Sequence, residues 1–158
     1  MVYGIDPGPD QSAMVGIDDD YKVILDFLGP NRELETILSE IAPIATSSLL
    51  AIEFIQSYGM AVGQETFVTC RWIGRFEKIW NDDASTYFYA RPTIKAHLCQ
   101  GIKGVKDKHV RQALIQRLGS HRKGGPLANI KKHKWSALAV AVTCKDGLKF
   151  GIEDWMNI

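Results

Sequence analysis

The chain has 158 residues, enough for one domain spanning 1–158 with a real core, and its 46% apolar and 23% charged content is that of an ordinary globular protein. No apolar run approaches the ~20 residues that span a membrane, which excludes a transmembrane role on this reading. The net charge of +1 conceals an asymmetry: residues 1–90 hold 5 Lys/Arg and 14 Asp/Glu, whereas residues 91–134 hold 12 Lys/Arg against one acid, Asp107, and so point to a polyanion, nucleic acid above all, rather than to a solvated helical face.

The first apolar run, Val2–Asp6, ends in a carboxylate and is followed at once by Pro7-Gly8-Pro9-Asp10. Two readings of Asp6 stand: ordinary turn chemistry before Pro-Gly, or an acid delivered to a strand tip for use. Ala13–Ile17 and Val23–Leu28 follow as strands, with Asp18-Asp19-Asp20 as a solvated turn lacking the alternation of a calcium loop. Short connections predict an antiparallel meander for these three strands. Leu34, Ile37, Leu38 and Ile41 fall at i, i+3, i+4, i+7 and predict an amphipathic helix closed by Pro43.

Leu49–Glu53 is a second apolar run ending in an acid, and its arrival through a helical crossover predicts pairing parallel to the first strand. Glu is not a favoured turn residue, so Glu53 tilts both tips toward a metal site. Residues 63–80 predict a helix with Phe67, Cys70, Ile73 or Gly74, Phe76 and Trp80 on one face. Tyr87–Ala90 predicts a fifth strand, closed by Arg91-Pro92. Thr93–Cys99 and Lys106–Leu118 predict helices, the second with Val110, Leu114 and Ile115 inward and Lys108, Arg111 and Arg117 elsewhere. A basic, Gly-rich break at 121–126 precedes a last helix from His133 to Lys145, and the tail 147–158 is expected to pack by Phe150 and Trp155 or to serve a partner. Cys70, Cys99 and Cys144 are odd in number and widely spaced, which predicts reduced thiols in a cytoplasmic protein. The N-terminus shows no signal-peptide pattern.

This α/β order, with acids ending the first and fourth strands, resembles the ribonuclease-H-like superfamily. Within it the chain looks like the RuvC Holliday junction resolvases, and more closely like their phage-encoded relatives. Gly4-Ile5-Asp6-Pro7-Gly8 and Ala51-Ile52-Glu53 are similar to the motifs of the first two acids. Residues 91–95 and 106–111 resemble the stretches bearing the phosphate-binding lysines, here Lys95 and Lys108. The run from His133 to Ala141 resembles the final helix with its last metal ligands. The resemblance implies a mixed five-stranded sheet flanked by helices, three strands antiparallel and two parallel. It implies nicking of four-way or other branched DNA by a homodimer with two Mg²⁺ ions per site, Mn²⁺ substituting. Asp6, Glu53, His133 and Ser136 would be the metal ligands and Lys108 a catalytic cation. Lys95, Lys106, Lys108 and Arg111 would ground phosphates, and Tyr58 or Met60 would wedge into the junction.

The last helix departs from the pattern, since His133 and Ser136 stand where an acid or His and then an Asp are usual. Three explanations remain. Asp6, Glu53 and His133 suffice, which is favoured; or Asp107 or Asp10 fills the gap; or cleavage is disabled and the protein binds branched DNA without cutting it. Phe67, Trp72, Phe76 and Trp80 are candidates for a dimer contact, with core packing the alternative for most of them.

Overall fold

The structure is a computed structural model that describes residues 1–80 and 85–152. The strands are β1 (Val2–Asp6), β2 (Gln11–Ile17), β3 (Val23–Pro30), β4 (Leu49–Phe54) and β5 (Thr86–Ala90). They form one sheet in the order β3-β2-β1-β4-β5. β1–β2 and β2–β3 are antiparallel, and β1–β4 and β4–β5 are parallel, as the connection lengths predict. The helices are α1 (Asn31–Ile41), α2 (Gln64–Trp80), α3 (Arg91–Leu98), α4 (Asp107–Leu118) and α5 (Lys134–Phe150).

Strand periodicity divides the core in two. Tyr3 and Ile5 of β1 point to one face with Leu50 and Ile52 of β4, where Leu34 and Leu38 of α1 and Ile73, Phe76 and Trp80 of α2 cover them. Val2 and Ala51 point to the other face, where α5 packs through Ala137, Leu138 and Ala141, backed by Ile94 of α3 and Leu114 of α4. Gly4 explains how closely α5 approaches: a Cβ there would lie 2.2 Å from the Ala137 carbonyl oxygen and 2.8 Å from the Ala141 Cβ. The alternation that places Val2 and Gly4 under α5 also aims Asp6 at that helix's first turn.

Several expectations change. Phe67 and Cys70 are exposed, and the buried face of α2 is Thr69, Ile73, Phe76 and Trp80. Phe76 and Trp80 are therefore core residues rather than dimer contacts. Trp72 stacks on Phe76 and meets the guanidinium groups of Arg32 and Arg75, 5.3 and 4.8 Å from its ring centre. The last helix does not stop at Lys145 but continues to Phe150, with Gly151 in the left-handed conformation that ends it. Its extension carries Asp146, 1% exposed, against Arg117 of α4. Arg117, 39% exposed, is thus ion-paired with Asp146, unlike Lys108 and Arg111. The Phe150 side chain and Trp155, proposed as tail anchors, lie outside the described residues.

Candidate active site at the strand tips

Ile5 of β1 pairs with Ile52 of β4, so Asp6 and Glu53 follow side by side at the C-terminal ends of parallel neighbours. Glu53 in turn pairs with Tyr89 of β5, which leaves Arg91 just past the third tip. Open sheets concentrate their chemistry at such tips because the backbone there leaves side chains room to converge. The turn after Asp6 is fixed from below: Ser12 Oγ donates to Asn31 Oδ1 at 2.6 Å, and Asn31 Nδ2 donates to the Gly8 carbonyl at 2.9 Å.

Asp6 is 12% exposed and meets His133 at the N-terminus of α5, with Asp6 Oδ2 3.0 Å from His133 Nδ1. The Ser136 hydroxyl, one turn along, faces Asp6 and slightly favours its ionised form. The two helix positions picked out by their i, i+3 spacing therefore both reach the first acid. Glu53 is 13% exposed and accepts from Arg91 Nη1 at 2.7 Å. The second arm of the same guanidinium holds Asp107 Oδ2 at 2.9 Å, and Lys95 Nζ holds the other oxygen of Asp107 at 3.0 Å.

Burial raises both buried acids above the ordinary carboxylate range. For Asp6 desolvation outweighs His133, Arg91 and Ser136, which pull the other way. For Glu53 desolvation leads, the neighbouring Asp6 charge adds to it, and Arg91 opposes both. Asp107, on the exposed rim, is lowered, chiefly by its hydrogen bond from Lys95.

A cleft runs past Asp6, lined also by Arg91, Asp107, Lys108, Arg111, Lys132 and His133. Lys106, Lys108 and Arg111 are exposed along or beside it, and Arg111 lies 4.9 Å over the Trp135 ring. Lys95 is not an unpaired cation, because Asp107 already claims it. Tyr58 lines a second pocket with Asp6, Glu53 and Arg91, and Met60 is 75% exposed. Of the two acids considered as replacements for the missing carboxylate, Asp107 is committed to Arg91 and Lys95. Asp10 is exposed and borders a separate hollow that Asp6 and His133 also line. Among the described residues no three His, Cys, Asp or Glu side chains are grouped as a ready-made metal cage. Sequence reasoning passed over Arg91 as the close of a strand. The tip rule that singled out Asp6 and Glu53 applies equally to it.

Two solved structures share this architecture. The chain superposes on Thermus thermophilus RuvC in complex with a Holliday junction substrate with a TM-score of 0.73 at 15% identity, covering 97% of each chain. The fold is RuvC-like. A second Thermus thermophilus RuvC structure gives a TM-score of 0.72 at 16% identity, with 97% of this chain and 98% of that one covered. No protein-family model matches the chain, and no curated protein matches it in sequence. The RuvC-like sheet order and the α5 crossing are what bring Asp6, Glu53, His133 and Ser136 to one end of the molecule.

Proposed function

We propose that the protein is a divalent-metal-dependent endonuclease that nicks four-way or other branched DNA. The observation that carries the reading is the pair of largely buried acids on adjacent parallel strand tips, the first of which lines a cleft with Lys108, Arg111 and Lys132. A buried carboxylate pair is costly unless a cation offsets it. Mg²⁺ suits hard oxygen donors and is commonly held by one or two carboxylates with its remaining positions filled by water. Asp6 and Glu53 fit one such ion, and a second would draw on His133 and Ser136. When bound, the metal supplies a more acidic water and neutralises charge on the attacked phosphate.

The chain's own residues supply the rest. An ionised Asp6 can only accept, so the 3.0 Å contact assigns the proton to Nδ1 of His133. Nε2 is then the free nitrogen of a ring that is 66% exposed, open either to ligate the second ion or to hold the attacking water, but not both at once. Lys108 and Arg111 place fixed positive charge where a phosphate backbone would run. Tyr58, Met60 and Phe67, all exposed, form an apolar margin suited to the junction centre or to a second copy in a homodimer.

The test is Asp6→Asn. It should bind a synthetic four-way junction within about twofold of the unaltered chain in a gel-shift titration, and lose nicking by about 10²-fold or more in Mg²⁺ or Mn²⁺. Retained nicking would remove Asp6 from the mechanism. One observation favours a second reading, a branched-DNA-binding protein that does not cut: Ser136 presents a neutral hydroxyl toward Asp6 where the resemblance expects a carboxylate. Failure of the unaltered chain to nick in either metal, with binding intact, would establish it.

A further inference from the structure

Arg91 is the one strong charge at the three tips that the proposed reaction has not used. Its guanidinium is divided between two carboxylates of different kinds. One arm is on Glu53, 13% exposed, and the other on Asp107, 68% exposed. The arginine itself is 39% exposed and lines the same cleft as Lys108 and Lys132. It springs from the junction of β5 and α3, where Pro92 follows and fixes the start of the helix. Asp107 is the first residue of α4, and Lys95 braces it from α3.

This arrangement has a consequence for cations. Arg91 already supplies the positive charge that the second buried acid requires. A divalent ion at Asp6 and Glu53 would sit beside a guanidinium, and like charges within several ångströms repel even at the effective dielectric of ~20 typical of such sites. The guanidinium has somewhere else to go. Asp107 lies on the rim and holds the other arm, so the side chain can give up Glu53 without losing all its partners. On the rim it faces the same groove as Lys108 and Arg111, where its planar fork matches a phosphate.

We propose that Arg91 is an exchangeable counter-ion: it occupies Glu53 in the free protein, holding divalent cations off the site, and contacts a DNA phosphate when a cation takes Glu53. Asp107 and Lys95 are the positioning residues that keep it at the rim. The inference rests on the metal-dependent reading above, and its test is chosen so that the two can fail separately.

The measurement is calorimetric titration of the DNA-free protein with Mn²⁺, comparing the unaltered chain, Arg91→Gln and Lys132→Gln. Lys132 lines the same cleft, so its variant removes one positive charge without touching Glu53. Circular dichroism and thermal melting confirm that each variant is folded. Arg91→Gln should bind Mn²⁺ about tenfold or more tightly than the unaltered chain, and Lys132→Gln within about twofold of it. Arg91→Gln should also bind a four-way junction more weakly in Ca²⁺, where cleavage does not enter the readout. Equal Mn²⁺ affinity in the unaltered chain and Arg91→Gln, equal gains in both variants, or no Mn²⁺ binding by any of the three would overturn the inference. Tight Mn²⁺ binding by Arg91→Gln with no nicking by the unaltered chain would support it while the nuclease reading fell.

Discussion

Asp146 shows how much a single carboxylate can hold. It is 1% exposed and accepts from both arms of Arg117 and from the Tyr21 hydroxyl, each at 2.6 Å, with His97 Nε2 also at 2.6 Å. Burial pushes its pKa up, but the hydrogen bonds from Arg117, Tyr21 and His97 win and bring it down from 3.8 to about 2. A depressed acid contributes its full stability above its unfolded pKa and loses it as pH falls through the folded value. That contribution is about 2 kcal/mol near neutrality, fading between about pH 4 and pH 2. Asp6 and Glu53 have the opposite sign: burial holds them high, so their ionisation costs stability near neutrality and the cost disappears on acidification. Asp146→Asn should lower stability at pH 7 by about 2–4 kcal/mol in urea denaturation, since it strands Arg117 beside a neutral partner. The loss should shrink toward pH 2. A pH-independent loss would mean that packing, not charge, is what Asp146 supplies. Nothing in the sequence marked this residue, because its partners lie 125, 49 and 29 positions away. The two strand-tip acids were legible for the reverse reason. Each ends an apolar run, and the run itself announces the tip.

At the scale of elements, α5 is the piece on which the site depends. The Ala-rich run from Ala137 to Ala141 lets the helix lie close on β1, and Gly4 makes room for it. Gly4→Ala forces a methyl group into backbone of α5, so the helix must lift or the strand must move. Overpacking of this kind costs about 1–3 kcal/mol. The lift also moves His133 and Ser136 from Asp6. A thermal melt should therefore show a lower midpoint, and the histidine–carboxylate contact should loosen in the His133 ring NMR shifts. Unchanged stability and unchanged shifts would show that the close approach is not required. Sequence periodicity placed every strand and every helix within a few residues. It misjudged one face: α2 carries aromatic residues on more than one side, so Phe67 and Cys70 were assigned inward although they are exposed. It ended α5 early because Lys145, Asp146 and Gly147 look like a helix terminus until Arg117 and His97 are seen to receive Asp146.

For the whole molecule, the charge asymmetry of the sequence becomes a surface only after pairing is subtracted. Arg91, Lys95, Arg117 and Lys134 of the basic stretch are tied to Glu53, Asp107, Asp146 and Asp26. Lys106, Lys108, Arg111, Lys131 and Lys132 remain exposed, on or near the cleft over the strand tips. Composition reported the total, and tertiary pairing decided which part faces a polyanion. The meander and the parallel pairing of β4 with β1 were legible because connection lengths leave little choice there, whereas the place of β5 at the sheet edge was not. Nor was the hold of Arg91 on Glu53 and Asp107, since it depends on a side-chain fork that joins β5, β4 and α4.

The most direct measurement of the central claim maps cleavage on a synthetic four-way junction beside a linear duplex of the same sequence, in Mg²⁺ and in Mn²⁺. The account predicts paired nicks at or near the branch point on opposing strands, with the duplex left intact. Equal cutting of duplex and junction, or no cutting of a junction that the protein demonstrably binds, would contradict it.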